Sequence, residues 1–548
     1  MPITDGFIRH AQQQPDQIAI GLRMPDGSLV ECRYGELVAT AEQIAERLTA
    51  WQQMKPEQAC LRVGLLLPNC LEFLEMFLGV AIAGGTVMVL DPTWTSHQIQ
   101  QVFTDSPPDL LCVEAGLVPL LADCPDHMPV MILNSEQPDL RSDRLIAGFD
   151  AVLFASRNFD RSDNGSPVQF PVRAHSGAPL RVGLRSVADC DPFYVGFTSG
   201  TTGRPKGVIR SHASWVASFA ASQVEFGTSA GDRILVPGSL VHSLSLYAVL
   251  EGLNAGATVI LLPRFSAKAT VDSLQTQAIT TLVAVPTLLR TIAKTVIQQQ
   301  KNCSNLRTVI AGGSKLEPDL RSQLSLAFPT ANIIEYFGAL ELSFITVASS
   351  RETVPFGSVG RPFQGVTVSI RQLQGEGEAQ PGEVGWIGVK SAMLSSGYLL
   401  STSTSLETTG FRVIDGWATV GDLGWQDASG YLYLVGREQD MVVSGGVNVY
   451  PAEVEAVLHS IPAIDQVAVF GLPDDDRGQV LCAAIRWAGD ALKRTELLQQ
   501  LANQLPHHKC PRLFFSVGDF PTTSSGKIRR SALRDRVLAG DPAIRPCW

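Results

Sequence analysis

The sequence predicts an α/β fold, with a large multi-layer N-terminal domain built on mostly parallel sheets and a small α+β C-terminal domain. Short runs rich in Val, Ile and Leu alternate with helix-length amphipathic stretches over most of the chain. This alternation is typical of parallel strands that are connected by helices. The chain has 548 residues, too many for one hydrophobic core, which indicates two or three domains.

The elements of the large domain follow from this pattern. The longest apolar stretch, residues 76–90, is short for a membrane span and is interrupted by Gly84 and Gly85, so it predicts a buried helix that leads into a strand. Residues 156–185 are polar and rich in Gly and Pro, which predicts a long loop. Other predicted strands cover residues 62–67, 86–90, 258–262, 281–285 and 307–311, and helix-length stretches cover residues 34–51 and 267–277.

Past about residue 365 the pattern changes to strand-like pieces that are joined by Gly-rich turns. The last hundred residues predict a small α+β unit, in which Pro451 stands near the start of a helix. We place the boundary near residues 437–440, which gives predicted domains of residues 1–437 and 438–548. The elements predicted in this part are strands over 366–372, 383–390 and 467–472 and helices over 451–459 and 492–505.

Composition excludes several classes of partner and site. The net charge of −10 and the lack of a basic run argue against nucleic acid as a partner. Ten cysteines occur singly without a Cys-x-x-Cys pair, which disfavours zinc and thioredoxin-type sites and favours reduced thiols in a cytosol. The first twenty residues are polar and hold no signal peptide, and no integral membrane segment is predicted, so the expected location is cytoplasmic.

The most informative segment is Thr-Ser-Gly-Thr-Thr-Gly-Arg-Pro-Lys-Gly at residues 198–207, which follows the apolar run 193–197. Glycines let backbone N–H groups approach an anion, hydroxyls add donors, and one lysine adds a point charge suited to phosphate. The segment predicts a polyphosphate-binding loop, although it is not a Gly-x-x-x-x-Gly-Lys-Ser/Thr P-loop; the alternative is a flexible surface loop. The predicted phosphate-binding residues are Thr198, Ser199, Gly200, Thr201, Thr202, Gly203 and Lys206.

A second motif, Glu-Tyr-Phe-Gly-Ala-Leu-Glu at residues 335–341, follows Val-Ile-Ala-Gly-Gly-Ser at residues 309–314. An aromatic ring beside a glycine offers a flat face to a purine, and a Gly-Gly turn lets backbone approach the other face. The carboxylate of Glu341 is suited to Mg²⁺ on a triphosphate. The alternative is an ordinary strand end and turn.

Two further motifs lie nearer the C-terminus. Asp422 follows a tight turn and is suited to accept hydrogen bonds from both hydroxyls of a ribose, with Arg437 donating to the same sugar; the alternative is a salt bridge in a hairpin. Lys527 stands on a Gly/Ser-rich segment, residues 521–530, and would meet the same ligand only if the small domain folds over the large one. The alternative there is a solvated basic turn.

Together and in this order, the motifs resemble the adenylate-forming superfamily of acyl-CoA synthetases, aryl-acid ligases, stand-alone and peptide-synthetase adenylation domains, and luciferases. The resemblance covers nearly the whole chain, from residues 34–37 and 83–86 to Lys527. Its most specific parts are the phosphate loop and the block at residues 436–455.

The resemblance implies a two-step reaction. ATP and a small carboxylic acid give an acyl-adenylate and pyrophosphate, and a pantetheine thiol of CoA or of a separate carrier protein then takes the acyl group. The small domain is implied to be mobile and to rotate about a hinge at Gln439, where the family usually has Asp or Lys. Another departure is Leu340, where the family usually has a hydroxyl residue that contacts the α-phosphate.

The resemblance also implies residue roles. The catalytic residues would be Lys206, Glu341 and Lys527, with Glu341 as the ligand of Mg²⁺ and Lys527 between the carboxylate and the α-phosphate. Adenine would lie between Gly312, Gly313 and Phe337. The remaining implied ATP contacts are the phosphate-loop residues, Ser314, Tyr336, Gly338 and the ribose pair Asp422 and Arg437, and the implied thiol channel is lined by Gly445 and Gly446.

The segment 236–246 resembles the acyl-pocket motif of the family, and the implied pocket residues are His242, Ser243, Gly312 and Gly338. Enzymes that activate α-amino acids usually have Asp where Ser243 stands, so Ser243 favours an uncharged acid. Residues 90–92 nevertheless resemble stand-alone amino-acid adenylation domains, so a small amino acid such as glycine, loaded onto a discrete carrier protein, is the main alternative. A luciferase-like oxidoreductase and a silent nucleotide-binding module are the others.

Overall fold

The computed structural model describes residues 2–53, 60–122, 124, 128–133, 153–154, 187–199, 205–373, 377–399, 410–444, 447–474, 478–522 and 528–548. The predicted loop at residues 156–185 lies outside these ranges. Contacts divide the chain into two compact units. The first contains the described residues up to 198, residues 205–367 and residues 390–399, and the second contains Ser199, residues 368–389 and the described residues from 410 onward. The boundary between residues 437 and 438 stays a prediction.

The described residues form the following elements. The helices are α1 (Asp5–Gln13), α2 (Tyr34–Gln53), α3 (Leu71–Ile82), α4 (Ser96–Asp105), α5 (His212–Phe226), α6 (Ser243–Ala255), α7 (Ala267–Thr276), α8 (Pro286–Gln298), α9 (Pro318–Ala327), α10 (Pro451–His459), α11 (Arg494–Ala502) and α12 (Arg530–Leu538). The strands are β1 (Ile18–Arg23), β2 (Leu29–Arg33), β3 (Arg62–Leu66), β4 (Thr86–Val89), β5 (Leu110–Glu114), β6 (Pro129–Leu133), β7 (Leu153–Phe154), β8 (Pro192–Ser199), β9 (Pro205–Ser211), β10 (Arg233–Val236), β11 (Thr258–Leu261), β12 (Thr281–Ala284), β13 (Thr308–Ala311), β14 (Asn332–Ala339), β15 (Ser343–Ser349), β16 (Arg361–Pro362), β17 (Val366–Arg371), β18 (Gly385–Ser391), β19 (Gly397–Tyr398), β20 (Arg412–Ile414), β21 (Trp417–Thr419), β22 (Asp422–Gln426), β23 (Leu432–Arg437), β24 (Val442–Ser444), β25 (Val447–Val449), β26 (Ile464–Asp474), β27 (Gly478–Trp487), β28 (Leu513–Val517) and β29 (Ile544–Pro546).

The first unit contains two large sheets. One has nine strands in the order β16-β15-β14-β13-β12-β10-β11-β1-β2, and the other has eight in the order β19-β9-β8-β4-β3-β5-β6-β7. The central pairs of both are parallel and the edge pairs are antiparallel. The largest hydrophobic cluster joins strands of both sheets to α2, α3, α5 and α6. The predicted multi-layer α/β architecture with mostly parallel sheets is therefore confirmed.

The second unit contains two six-stranded sheets that are mostly antiparallel. In β26, Val467 and Val469 belong to a core with α10 and α11, whereas Ala468 and Phe470 belong to a core with α12. This alternation follows from the two-residue period of a strand, which sends successive side chains to opposite faces of the sheet. The predicted small α+β unit is thereby confirmed.

Several predicted elements agree closely with the structure, and two expectations differ from it. The apolar stretch 76–90 is the end of α3 followed by β4, and helix α10 covers residues 451–459 as predicted. The strand predicted over 193–197 is longer and continues to Ser199. Lys206, expected in the loop, is the second residue of β9. The hydroxyl-bearing segment thus begins in a strand, which suits the β-branched Thr198.

Two further expectations concern the membrane and the cysteines. Among the described helices, none is both long enough and apolar enough to cross a bilayer. All ten cysteines lie in described ranges and none of them forms a disulfide bond.

The buried carboxyl group of Glu251 predicts a pH-dependent stability for the first unit. Its carboxyl group is buried on α6 and accepts a 2.9 Å hydrogen bond from Ser222 Oγ, which also bonds to Tyr247. Burial raises the pKa of Glu251 from 4.5 to about 7. Between these two pH values the folded chain holds a proton that the unfolded chain has released, so the free energy of unfolding falls as pH rises through this window.

We therefore expect Glu251→Gln to match the native protein in stability at pH 5 and to exceed it at pH 8 by up to about 3 kcal/mol. Urea unfolding at a series of pH values would measure the difference. The exposed Glu46→Gln on α2 is the matched control and should leave the pH profile unchanged. A parallel profile for the Glu251 variant and the native protein would show that this carboxyl group titrates normally.

Candidate active site

Lys206 and Tyr398 lie on neighbouring strands at one edge of the eight-stranded sheet. Strand β9 pairs with β19 in an antiparallel ladder in which Tyr398 lies opposite Val208. The amide of Leu399 extends this ladder with a 2.7 Å hydrogen bond to the carbonyl of Gly207. The ladder places the Lys206 ammonium 6.0 Å from the centroid of the Tyr398 ring, within the range of a cation–π contact.

Glu341 follows β14 and its side chain is buried, with 7% of the residue exposed. The hydroxyl of Tyr398 donates a 2.8 Å hydrogen bond to Glu341 Oε1, and the amide of Ser395 donates one of the same length to the Glu341 carbonyl. Tyr398 therefore contacts both Lys206 and Glu341, two of the three predicted catalytic residues. Sequence reasoning missed Tyr398, because nothing in the spacing indicates a contact across 57 residues.

The donor set around Glu341 fits Mg²⁺. The hydrogen bond from Tyr398 occupies one carboxylate oxygen and orients the group, so the second oxygen is available as a hard ligand. Within the described ranges, no group of three or more His, Cys, Asp or Glu residues that would hold a metal is present. A single carboxylate that shares the ion with substrate phosphates is the arrangement Mg²⁺ commonly takes.

The predicted adenine-binding segments lie at the ends of two parallel strands, β13 and β14. A Cβ atom at Gly312 would come within 2.5 Å of the Tyr336 ring, so only glycine permits this contact. The Tyr336 ring also packs against Phe344 at 4.8 Å, which places it on the core side of β14. Phe337, the next residue of the strand, points to the opposite face.

The backbone geometry at Gly338 and at Gly313 favours glycine for two different reasons. Strand β14 has an irregularity between Phe337 and Gly338, and a Cβ atom at Gly338 would come within 2.2 Å of the Ser343 carbonyl oxygen. Gly313 has a positive φ of 90°, which favours glycine. Ser314 follows it and is exposed. The nucleotide contacts of all these residues stay predictions.

Asp422 and Arg437 face each other across the β22–β23 ladder. Arg437 Nε donates a 2.9 Å hydrogen bond to Asp422 Oδ1, and the two side chains are 47% and 10% exposed, respectively. The salt bridge in a hairpin, which was the alternative interpretation of these two residues, is thus present. It is compatible with ribose binding, since an oriented carboxylate retains a second oxygen as an acceptor.

Gln439, the predicted hinge, lies exposed in a short 3₁₀ helix, Glu438–Asp440. Its neighbour Asp440 is partly buried, and its Oδ2 atom lies 3.6 Å from Arg530 Nη1. Burial raises the pKa of Asp440, while Arg530 acts in the opposite direction.

Several other predicted site residues lie outside the described residues. They are Gly200, Thr201, Thr202, Gly203, Gly445, Gly446 and Lys527, and the side chain of Ser199 is also not described.

The predicted acyl-pocket residues His242 and Ser243 lie at the start of α6, with His242 as the residue that precedes the helix. Burial lowers the pKa of His242, while the nearby Asp91 raises it. Asp91 is itself buried, and its Oδ1 atom accepts hydrogen bonds from the amide and hydroxyl of Thr93. A carboxylate therefore lies close enough to His242 to influence its charge.

Comparison with known proteins identifies the family. Residues 7–399 match the model of the AMP-binding enzyme family, and residues 453–527 match that of the AMP-binding enzyme C-terminal domain. The chain is 32% identical to the uncharacterized acyl–CoA ligase YhfT of Bacillus subtilis, over 97% of this chain and 98% of the relative. It is 30% identical to the indoleacetate–CoA ligase of Aromatoleum aromaticum, over 98% of both chains.

A solved structure with the same fold is the o-succinylbenzoate CoA synthetase MenE from Bacillus subtilis in complex with the acyl-adenylate intermediate OSB-AMP. It superposes with a TM-score of 0.77 over 98% of each chain, at 25% sequence identity. The family models, the full-length relatives and the shared fold lead to one conclusion. The chain belongs to the AMP-binding enzyme family of adenylate-forming, AMP-forming acid–thiol ligases.

Proposed function

We propose that this enzyme joins a small carboxylic acid, uncharged apart from its carboxylate, to the thiol of coenzyme A through an acyl-adenylate. The observation that carries the proposal is the contact of Tyr398 with both Lys206 and Glu341 at one edge of the sheet. Tyr398 thereby brings a side chain suited to bind phosphate close to a side chain suited to bind Mg²⁺. Full-length relatives whose names state CoA ligase activity support CoA, rather than a carrier protein, as the acceptor. A cytoplasmic location fits the absence of disulfide bonds among the ten cysteines.

In the first step, a carboxylate oxygen of the acid attacks the α-phosphorus of ATP, and the bond to the β-phosphate breaks to release pyrophosphate. Lys206 holds the β- and γ-phosphates by charge. Glu341, oriented by Tyr398, would hold Mg²⁺, which would supply positive charge to the phosphate oxygens. Lys527 offsets the repulsion between the two anions that react. The ribose is held by Asp422 and Arg437, and the adenine by Gly312, Gly313 and Phe337.

In the second step, the thiol attacks the acyl carbonyl carbon, a thioester bond forms, and AMP leaves with the electrons of the mixed-anhydride bond. The small domain rotates about Gln439 between the steps, so that Lys527 leaves and Gly445 and Gly446 line the path of pantetheine. The exposed position of Gln439 beside the Asp440–Arg530 contact is compatible with a pivot at this residue.

A small amino acid is the second candidate substrate, and Asp91 is the observation that favours it. This buried carboxylate influences His242 and offers the ammonium group of glycine or alanine a counter-charge that Ser243 lacks. Activation of an amino acid would indicate that Asp91 replaces the aspartate usual at position 243. Its acceptor would be a discrete carrier protein.

The test is ATP–pyrophosphate exchange with short and long fatty acids, aryl acids, glycine, alanine and β-alanine, followed by thioester formation with CoA. We expect exchange with small uncharged acids, and a thioester that depends on both ATP and CoA. Exchange with glycine or alanine alone would favour the second candidate, and Asp91→Asn would then abolish it. Absence of exchange with every acid in the panel would contradict the proposed substrate class.

A further inference from the structure

Arg210 is a buried arginine, next to the last residue of β9, with 2% of its surface exposed. Its Nη1 atom donates a 3.0 Å hydrogen bond to the Leu340 carbonyl, and its Nη2 atom a 2.8 Å bond to the Met393 carbonyl. Its Nε atom donates a 3.2 Å bond to Ser214 Oγ. Burial lowers the pKa of Arg210 to about 10, so the side chain is still charged at neutral pH.

All three hydrogen-bond acceptors are neutral oxygens, although the charge of the nearby Glu341 carboxylate favours the protonated guanidinium. A buried guanidinium is normally hydrogen-bonded to a carboxylate, because the loss of hydration is otherwise poorly offset. The Trp215 ring, 5.9 Å from the guanidinium, adds a cation–π contact. A hydrophobic residue would fill the same space at lower cost, so the arginine is better explained by what its hydrogen bonds hold.

The segments that Arg210 holds are those that carry the gathered site residues. Its own strand carries Lys206, and Leu340 immediately precedes Glu341. Met393 begins the short segment that leads to Tyr398, and this segment is bonded to Glu341 through the Ser395 amide. One planar side chain with fixed donor directions therefore ties three chain segments together at a single point.

We propose that Arg210 is a positioning residue that sets Glu341 and Tyr398 against Lys206 for Mg²⁺–nucleotide binding. The proposal rests on the proposed function, since it takes Glu341 as the Mg²⁺ ligand.

The test compares Arg210→Met and Arg210→Lys with the native enzyme. Arg233→Met is the matched control, since Arg233 also bonds to a backbone carbonyl, that of Gln277, but holds none of the site segments. Three quantities are measured: affinity for Mn²⁺ in the presence of β,γ-methylene ATP, by electron paramagnetic resonance; kcat/KM and its Mg²⁺ dependence; and the melting temperature. Substitution of a residue that supports a metal ligand typically lowers metal affinity or activity about 10–100-fold.

We expect both Arg210 variants to lose about 10–100-fold in Mn²⁺ affinity and in kcat/KM, and the Arg233 control to retain both. The lysine variant should resemble the methionine variant, because an ammonium group does not reach two carbonyls with the fixed geometry of a guanidinium. If Arg210→Met does not fold, Arg210→Lys, which keeps the charge, decides the question.

Two results would overturn the proposal. Native Mn²⁺ affinity in Arg210→Lys would show that the fixed geometry of the guanidinium is not required. A lower melting temperature with unchanged Mn²⁺ affinity and Mg²⁺ dependence would show that Arg210 serves only stability. A failure of the proposed function is distinguishable from a failure of this proposal. In the first case the native enzyme would form no adenylate with any acid, whereas Mn²⁺–nucleotide binding tests the role of Arg210 without an acid.

Discussion

Lys527→Ala is expected to lower acid-dependent ATP–pyrophosphate exchange roughly 10²–10³-fold, or about 3–4 kcal/mol of transition-state stabilisation. The acid and the α-phosphate are both anions, and negative charge accumulates where they meet as the bond forms. A fixed ammonium group there lowers the barrier more than it improves binding of ATP, because its interaction is strongest in the transition state. The dissociation constant of ATP should therefore change little.

Exchange assays and isothermal titration with ATP would measure the two effects separately. Lys509→Ala is the matched control, because Lys509 lies in the same predicted small domain and its ammonium group pairs with Glu453 at 2.7 Å. It should retain both exchange and ATP binding. Unchanged exchange in Lys527→Ala would show that this lysine has no part in adenylation.

The second half-reaction provides a sharper version of the same test. If Lys527 acts only in adenylation, the alanine variant should convert a synthetic acyl-adenylate and CoA into thioester at close to the native rate. A variant that is defective in both half-reactions would instead indicate damage to the small domain. The melting temperature of that domain would then fall together with the two rates.

The fold was largely predictable because its local signals agree with one another. Helix α3 and strand β4 follow from an apolar run interrupted by Gly84 and Gly85, and α10 from a proline at its first position. The end of β8 was placed too early because the run of hydroxyls and glycines after it reads as a loop. In the structure the strand continues to Ser199.

The candidate site was predictable only where partners are close in sequence. The Asp422–Arg437 pair follows from the short separation of two strands in a hairpin, and the structure places the two residues in register. Tyr398 and Arg210 were missed, because each reaches Glu341 or its neighbour through pairing of distant segments. The sequence marked the aromatic pair Tyr336 and Phe337 as a candidate purine contact without indicating that the Tyr336 ring packs in the core.

Glu341→Gln is expected to lower adenylation roughly 10²–10³-fold at a fixed, moderate Mg²⁺ concentration and to raise the Mg²⁺ concentration needed for half-maximal rate. The amide keeps the size of the side chain and can still accept the hydrogen bond from Tyr398, so the change removes mainly the negative charge that holds the cation. Tyr398→Phe should show a milder form of the same defect, about tenfold, because it removes one hydrogen bond to a charged group.

Glu335→Gln provides the matched control for the loss of charge. Glu335 is a buried carboxylate on β14, the strand that Glu341 follows, but it bonds to Arg321 and to the Leu316 amide. Its substitution should lower the melting temperature and leave the Mg²⁺ dependence unchanged. If Glu341→Gln behaved in the same way as Glu335→Gln, Glu341 would be a structural carboxylate and Tyr398 its packing partner. A shift of the Mg²⁺ dependence in Glu341→Gln and Tyr398→Phe, but not in Glu335→Gln, would assign the metal to the edge of the sheet where β9 and β19 meet.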